Sequence, residues 1–317
     1  MENEIKIFCA KDWTDYELLD TGEGEKLERF GPYTFVRPYE NAIWKKTLPV
    51  KDWDKANGKF WSSKAGAVKG WKFKDGSFER SFKNRPFNWE MSYKGIKFLA
   101  SPTPFRHLGF FPEQAVLWDF IEEKIKSAMA PQGLVFRDSK ARPFPAIRFL
   151  NLFGYTGVAS LFALRAGAKV THIDASKLSV EWAKENQKVS GLEKMPMRII
   201  CDDVIKFLER EIKRGNRYDA VIMDPPKFGR GPKEETWNIE KDLPKLLSQI
   251  RKILSDKPLF VILNSYAIDS SSLSLGYALE DAMYGLKGET LSGELCLFEK
   301  SNSRVIPLSN TAIWSSL

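Results

Sequence analysis

The run Asn151-Leu-Phe-Gly-Tyr-Thr-Gly157 closes one apolar stretch, Ile147–Phe153, and leads into a second of helical character, Val158–Ala166. A short apolar run that ends in glycines and passes directly into a helix reads as a buried strand, a tight turn and the first crossover of a parallel sheet. The alternation continues downstream. Lys169–Asp174, Met197–Cys201, Tyr218–Asp224 and Pro258–Asn264 read as strands, with Lys177–Val189, Val204–Lys213 and Leu243–Leu254 as helices between them. Five such repeats with continuous apolar strands predict a doubly wound, Rossmann-like α/β sheet with right-handed crossovers. Gly293–Glu299 and Arg304–Pro307 read as a closing hairpin, which brings the expected sheet to seven strands.

Upstream, the first hundred residues read as short strands broken by turns. The strands are Phe35–Arg37, Ala42–Trp44, Trp71–Phe73 and Ile96–Leu99, with turn signals in Gly-Pro at 31–32 and Asp-Gly at 75–76. Ser101-Pro102-Thr103-Pro104 reads as a stiff connector, and Pro112-Glu-Gln-Ala-Val-Leu-Trp as the opening of an amphipathic helix. Two domains are expected: a β-rich one over residues 1–104 and the α/β one over 105–317.

The chain has 317 residues, 43% hydrophobic and 28% charged, an ordinary globular composition. No stretch approaches 18 apolar residues, and Met1-Glu-Asn-Glu lacks the layout of a signal peptide, so a cytoplasmic protein without a membrane segment is expected. Cys9, Cys201 and Cys296 make neither a disulfide framework nor a CxxC pair, and His107 and His172 are the only histidines, so no metal site is expected. Between Arg37 and Lys97 there are 15 basic and 6 acidic residues, which concentrates the whole positive excess of the chain (+8) in one segment. That segment also holds 12 aromatics, Trp44, Trp53, Trp61, Trp71 and Trp89 among them. Basic residues interleaved with aromatics suit RNA, a polyanion with stackable bases. They equally suit a small β domain whose aromatics are core and whose lysines are its solvated face. The oligomeric state is left open.

Ligands of an open parallel sheet bind outside the carboxyl ends of its strands, near the switch point. Gly154 and Gly157 allow a tight turn and close backbone approach there, without the GxGxxG pattern that would ask for a pyrophosphate. Asp174, 20 residues after Gly154, ends strand two, where a carboxylate can accept both hydroxyls of a ribose. Ser176 is at hand to cap the next helix. Asp202 and Asp203 end strand three, where one carboxylate can accept an adenine amino group while the other caps a helix. Together these make an adenosine site without a phosphate cradle, which points to S-adenosylmethionine.

Strand four ends in Asp224-Pro-Pro-Lys-Phe228-Gly229. Two prolines stiffen the loop and withhold N–H donors, leaving carbonyls turned toward the cleft. With Asp224 they form an acceptor site for a planar amine or aromatic N–H, and Phe228 can stack on a base. Lys227 suits a phosphate contact or a plain surface position, and residues 229–236 a substrate loop or an ordinary solvated one. His107 is a candidate to line the cleft, whereas His172 lies inside a strand and reads as core.

The segments Leu150–Gly157, Ile173–Ser176, Asp202–Leu208 and Met223–Phe228 closely resemble class I S-adenosylmethionine-dependent methyltransferases. The nearest likeness is to the bacterial enzymes that methylate large-subunit ribosomal RNA on cytosine C5 or guanine N7. The resemblance runs from about Phe105 to Pro307 and includes Gly109-Phe-Phe-Pro-Glu-Gln114, which implies cofactor contacts at Phe111 and Gln114. It further implies cofactor binding along Asn151, Phe153, Gly154, Thr156, Gly157, Asp174, Ala175, Ser176, Asp202 and Asp203. The acceptor would enter beside Asp224, Pro225, Pro226, Lys227 and Phe228. Residues 37–97 do not match the RNA-binding module expected in front of such enzymes. A second departure concerns chemistry: cytosine-C5 methylation needs a thiolate, carried by those enzymes just after strand five. Here that strand ends Leu263-Asn-Ser-Tyr-Ala-Ile268, without cysteine. The expectation is therefore an RNA methyltransferase, ribosomal RNA being the expected partner, that acts on a nitrogen. The alternatives are a small-molecule or protein methyltransferase and a non-catalytic nucleic-acid-binding protein on the same fold.

Overall fold

The computed structural model describes residues 4–62, 69–74, 87–130, 146–266 and 271–317. The Asp75-Gly76 turn lies outside the described residues, as do Lys64, Arg80, Lys83 and Arg85 of the basic segment. The first hundred residues form strands β1 (Lys6–Cys9), β2 (Tyr16–Gly22), β3 (Glu25–Phe30), β4 (Tyr33–Pro38), β5 (Gly58–Ser62), β6 (Lys69–Phe73), β7 (Trp89–Tyr93) and β8 (Ile96–Ala100), with helix α1 (Val50–Trp53). The remainder alternates: α2 (Ala115–Met129), β9 (Arg148–Leu152), α3 (Val158–Arg165), β10 (Lys169–Asp174), α4 (Lys177–Val189), β11 (Met197–Cys201), α5 (Val204–Lys213) and β12 (Ala220–Met223). It closes with β13 (Phe228–Arg230), β14 (Thr236–Asn238), α6 (Ile239–Ile253), β15 (Phe260–Ser265), α7 (Ser272–Ala282), β16 (Glu289–Phe298) and β17 (Val305–Ser315).

The chain divides into two compact units, and not by one cut after Pro104. Met1–Phe8, Val116–Leu295 and Leu308–Leu317 form one; Cys9–Ala115 and Cys296–Pro307 form the other. The first contains the expected sheet, in the order β1-β16-β17-β15-β12-β9-β10-β11. The five strands from β15 to β11 run parallel, and β17 pairs antiparallel with β15. Successive crossovers leave β9 in opposite directions, so the switch point lies between β9 and β12. The seven expected strands are present; the eighth is β1, which joins the edge from a region expected to belong wholly to the front domain.

Local sequence explains where the helices start. Ser176 Oγ accepts from Ser179 N to cap α4, and Asp203 Oδ1 accepts from Lys206 N to cap α5. Helix α6 begins at Ile239, ahead of the expected Leu243, because Asn238 Oδ1 accepts from Glu240 N and so sets the start; Pro244 lies inside the helix instead of opening it.

Side-chain alternation gives the sheet two unlike faces. Leu150, Leu152, Ile173, Val221, Met223, Val261 and Leu263 share one apolar core with Phe207, Leu246, Ile250 and Leu279 from α5, α6 and α7. Full burial of each such side chain contributes about 1.5–3 kcal/mol. The opposite face carries buried polar residues, Asn151, His172, Asn264 and Thr311 among them. Asp174 and Asp224 continue that polar row at the carboxyl ends of β10 and β12.

The second unit has a five-stranded sheet in the order β2-β3-β4-β5-β6, with β4 and β5 parallel, and a separate β7–β8 hairpin. Ala42–Trp44 is irregular and not the expected strand. Its carbonyls are used by the β2–β3 turn, where Glu23 N donates to Trp44 O (2.7 Å) and Gly24 N to Ala42 O (2.9 Å). Glu28 is fully buried and accepts from Arg37 Nε (2.6 Å), Arg37 Nη2 (2.7 Å) and Tyr16 OH (2.8 Å). Burial opposes its ionisation, but Arg37 and Lys26 hold its pKa down at about 2.

This unit also decides between the two readings of the aromatic segment. Tyr39, Trp53, Phe60, Trp89 and Tyr93 are core, and Trp71 Nε1 donates to Thr103 O (2.8 Å). Among the segment's described aromatics Trp61 alone is classed as exposed, at 42%. Lys46 and Lys59 pair with Glu25, and Lys97 with Glu90. The described aromatics therefore serve packing first, and part of the positive excess is matched locally.

Candidate active site

The loop after β9 is held in a demanding conformation. Phe153 (φ 55°), Tyr155 (φ 51°) and Gly157 (φ 84°) are all left-handed. For the two non-glycine residues this costs about 1–2 kcal/mol each. The loop is fixed from several sides: Gly154 N donates to Ile173 O (2.9 Å), Tyr155 N to Asp174 Oδ2 (2.8 Å), and Asn186 Nδ2 to Thr156 O (2.8 Å). Beneath it, Asn151 Nδ2 donates to Ser160 Oγ (3.0 Å), which lies 3.2 Å from His172 Nδ1. Asn151 thus supports the loop from below.

Close packing is what excludes a side chain at Gly154. A Cβ there would lie 2.5 Å from His172 Nδ1, against a buried imidazole with no room to retreat. Gly154→Ala is accordingly expected to destabilise the chain by about 1–3 kcal/mol, lowering the thermal midpoint and weakening cofactor binding together. Thermal unfolding with and without S-adenosylmethionine checks this. His172 itself is held at about 4 by burial. An unfolded histidine takes up its proton near 6.5, so stability is expected to fall as pH drops from 6.5 to 4, by about 3 kcal/mol from this residue. Urea unfolding at pH 7 and pH 4.5 measures it; equal midpoints would contradict the burial of a neutral ring.

Asp174 joins two loops, accepting from Tyr155 N through Oδ2 and from Ser176 N through Oδ1, both at 2.8 Å. Each oxygen has a second lone pair, so two further donors can still be accepted. Burial pushes its pKa up. Ala175 O receives the Cys201 thiol (3.5 Å), and Asp202 N donates to Asp174 O (3.0 Å), which ties the third strand end to the second. Of the two aspartates there, Asp203 is the helix cap, while Asp202 pairs with Arg210 and accepts from Asp203 N (2.9 Å). The residues expected from 151–157, 174–176 and 202–203 therefore meet at three successive strand ends. Phe111 and Gln114 belong to the other unit, where Phe111 packs on His107 with ring centroids 4.8 Å apart.

At the fourth strand end Asp224 N donates to Leu152 O (3.3 Å), Asp224 is half-buried and Pro225 is buried. One expectation is corrected: the Pro226 carbonyl is not left turned toward the cleft for a substrate donor but accepts from Trp237 Nε1 (2.7 Å). The Trp237 ring packs against Phe153 (5.0 Å), so this residue, unremarked in the sequence, links the first and fourth loops. The expected loop over 229–236 is a hairpin of β13 and β14. Glu235 braces it, pairing with Lys206 (2.6 Å) and accepting from Lys233 N (2.8 Å). Two short segments flanking Gly231-Pro232 were a readable hairpin signal. The hairpin carries Phe228, 64% exposed, and Lys227 is half-buried beside it.

The fifth strand ends in buried Asn264 and Ser265. Cys201 ends β11, and its thiol pKa is pushed up by burial and then by Asp174. Cys296 is buried within β16. Among the described residues no helix is long and apolar enough to cross a membrane.

A family profile described as S-adenosylmethionine-dependent methyltransferase matches residues 138–282. The crystal structure of the SAM-dependent methyltransferase from Agrobacterium tumefaciens is 38% identical and superposes with a TM-score of 0.86 over 98% of this chain and 94% of that one. Ribosomal RNA large subunit methyltransferase K of Neisseria meningitidis serogroup B is 32% identical over 139 residues, 42% of this chain and 39% of that protein. Ribosomal RNA large subunit methyltransferase K/L of Pseudoalteromonas atlantica is 29% identical over 198 residues, 61% of this chain and 25% of that protein. The chain thus spans well under half the length of these two curated relatives.

Proposed function

Because the chain belongs to the S-adenosylmethionine-dependent methyltransferases, we propose that it binds that cofactor along loops 153–157, 174–176 and 202–203 and methylates a nitrogen of an RNA base, in large-subunit ribosomal RNA. The observation that carries the reading is the row of groups at four neighbouring strand ends: bare backbone at Gly154 and Gly157, Asp174, the Asp202–Asp203 pair, and Asp224-Pro-Pro. The residues fit the cofactor. Asp174 retains lone pairs for two ribose hydroxyls, and Gly157, left-handed at φ 84° and packed so that a Cβ would meet Ala183 at 3.0 Å, keeps the turn before α3 tight. When bound, S-adenosylmethionine supplies an electrophilic methyl group on a sulfonium.

The chain's own part is to hold and orient. Asp174 accepts the ribose hydroxyls, and a carboxylate at 202–203 accepts the adenine amino group. Asp224 accepts an N–H of the incoming base, turns its nitrogen toward the methyl group and offsets the positive charge that grows there, so positioning supplies much of the rate. Phe228 stacks on the base and Lys227 faces its phosphate. Nitrogen is favoured because strand five ends without cysteine and the Cys201 thiol is disfavoured as a thiolate. The names of the two ribosomal RNA methyltransferases support the RNA target. A protein or small-molecule acceptor is the second reading, favoured by the buried aromatics and paired lysines of residues 37–97.

The test is transfer of tritiated methyl groups to unmodified large-subunit ribosomal RNA, to a protein extract and to a metabolite extract, side by side. Label in the RNA, with RNA affinity that falls steeply with salt, supports the proposal. Label confined to either other pool replaces it with the second reading.

A further inference from the structure

We infer that Asn264 is a positioning residue for Asp224: its side-chain amide donates to the Asp224 carboxylate and so aims that carboxylate at the acceptor. The inference rests on the reading of Asp224 given above. Asn264 is fully buried near the end of β15, directly opposite Thr311 of β17. Thr311 Oγ1 donates to Asn264 Oδ1 (2.7 Å), which fixes the orientation of the amide. Nδ2 is left fully buried without a hydrogen-bond partner. A buried amide donor is costly to leave unmet, and such groups are rare unless a partner completes them.

Topology identifies that partner. β12 and β15 are paired in parallel with Met223 beside Leu263, so the next residues, Asp224 and Asn264, lie side by side. Neighbouring strands are about 4.8 Å apart, and side chains in register leave the sheet on the same face. Met223 and Leu263 face the apolar core, so Asp224 and Asn264 fall together on the polar face. Ser265, also buried with an unpaired hydroxyl, alternates to the core face and does not compete. On the other flank of Asn264 the Thr311 hydroxyl is already engaged. A small rotation about the Asn264 and Asp224 side-chain bonds closes the pair and fixes the plane of the carboxylate relative to the acceptor.

The Asn264 side-chain amide is observable in the full chain by nitrogen–proton correlation spectroscopy, assigned by its loss in Asn264→Ala. One amide proton is expected downfield and slow to exchange, and both properties are expected to disappear in Asp224→Ala. Asp224→Asn, which keeps the shape of the side chain, is expected to shift the signal in the same direction and serves if the alanine variant does not fold. An Asn264 signal indifferent to both changes at Asp224 overturns the inference. In methyl transfer, Asn264→Ala is expected to lower kcat about tenfold to a hundredfold with an unchanged KM for S-adenosylmethionine, and Asn264→Gln to recover part of the loss. An unchanged kcat in Asn264→Ala also overturns it. A wild-type chain that transfers no methyl group to RNA defeats the RNA reading alone, and the amide signal still decides whether the pair exists.

Discussion

Asp174→Ala is expected to weaken S-adenosylmethionine binding by at least about a hundredfold, in a chain that still folds. Two hydrogen bonds from ribose hydroxyls to a carboxylate contribute about 1.5–3 kcal/mol each, and every 1.4 kcal/mol is tenfold in affinity. The same carboxylate also holds Tyr155 N and Ser176 N, so its removal loosens the loops on both sides of the cofactor. Those two internal bonds also run to a carboxylate and contribute about 1.5–3 kcal/mol each, part of which is offset by the cost of burying that charge, and a domain of this size withstands the remainder. Titration calorimetry separates the effects when paired with thermal unfolding: affinity is expected to collapse while the unfolding midpoint falls by a few degrees. An alanine variant that binds as tightly as the natural chain would remove Asp174 from the site.

The second large effect belongs to Asp224. Asp224→Ala is expected to lower kcat by about 10²–10³, the usual loss when one preorganised polar group facing developing charge is removed, with cofactor affinity unchanged. Its neighbours explain the separation. Asp224 follows β12, one strand beyond the switch point, while Asp174 and the 202–203 pair lie on the other side of β9. The two changes should therefore act on different kinetic constants. Single-turnover methyl transfer at saturating cofactor checks this; a variant with full kcat would place the acceptor elsewhere.

Much of this site could be read in the residues because each piece obeys a local rule. The strand ends at Asp174 and Cys201 are marked by apolar runs stopping at polar residues, and the caps at Ser176 and Asp203 are set by side chains within a turn of the helices they start. Local rules fail where a distant partner decides. Trp237 is just an aromatic in a short segment until its indole reaches Pro226 O, and no local signal marks Asn264 as more than the end of an apolar run. Ala42–Trp44 has strand-like composition, but the β2–β3 turn takes its carbonyls first. The placement of β1 in the large sheet is likewise a long-range pairing, invisible to periodicity. The aromatic segment shows the limit of composition: the same tryptophans suit a base or a core, and burial of Trp53 and Trp89 shows which role they fill.

The most direct measurement is mass spectrometry of nucleosides from unmodified large-subunit ribosomal RNA after incubation with the chain and S-adenosylmethionine. The account predicts one new nucleoside carrying its methyl group on nitrogen, formed by the natural chain and formed about a hundredfold or more slowly with Asp224→Ala. A 5-methylcytidine product, or no methylated nucleoside from RNA that the chain binds, would contradict it.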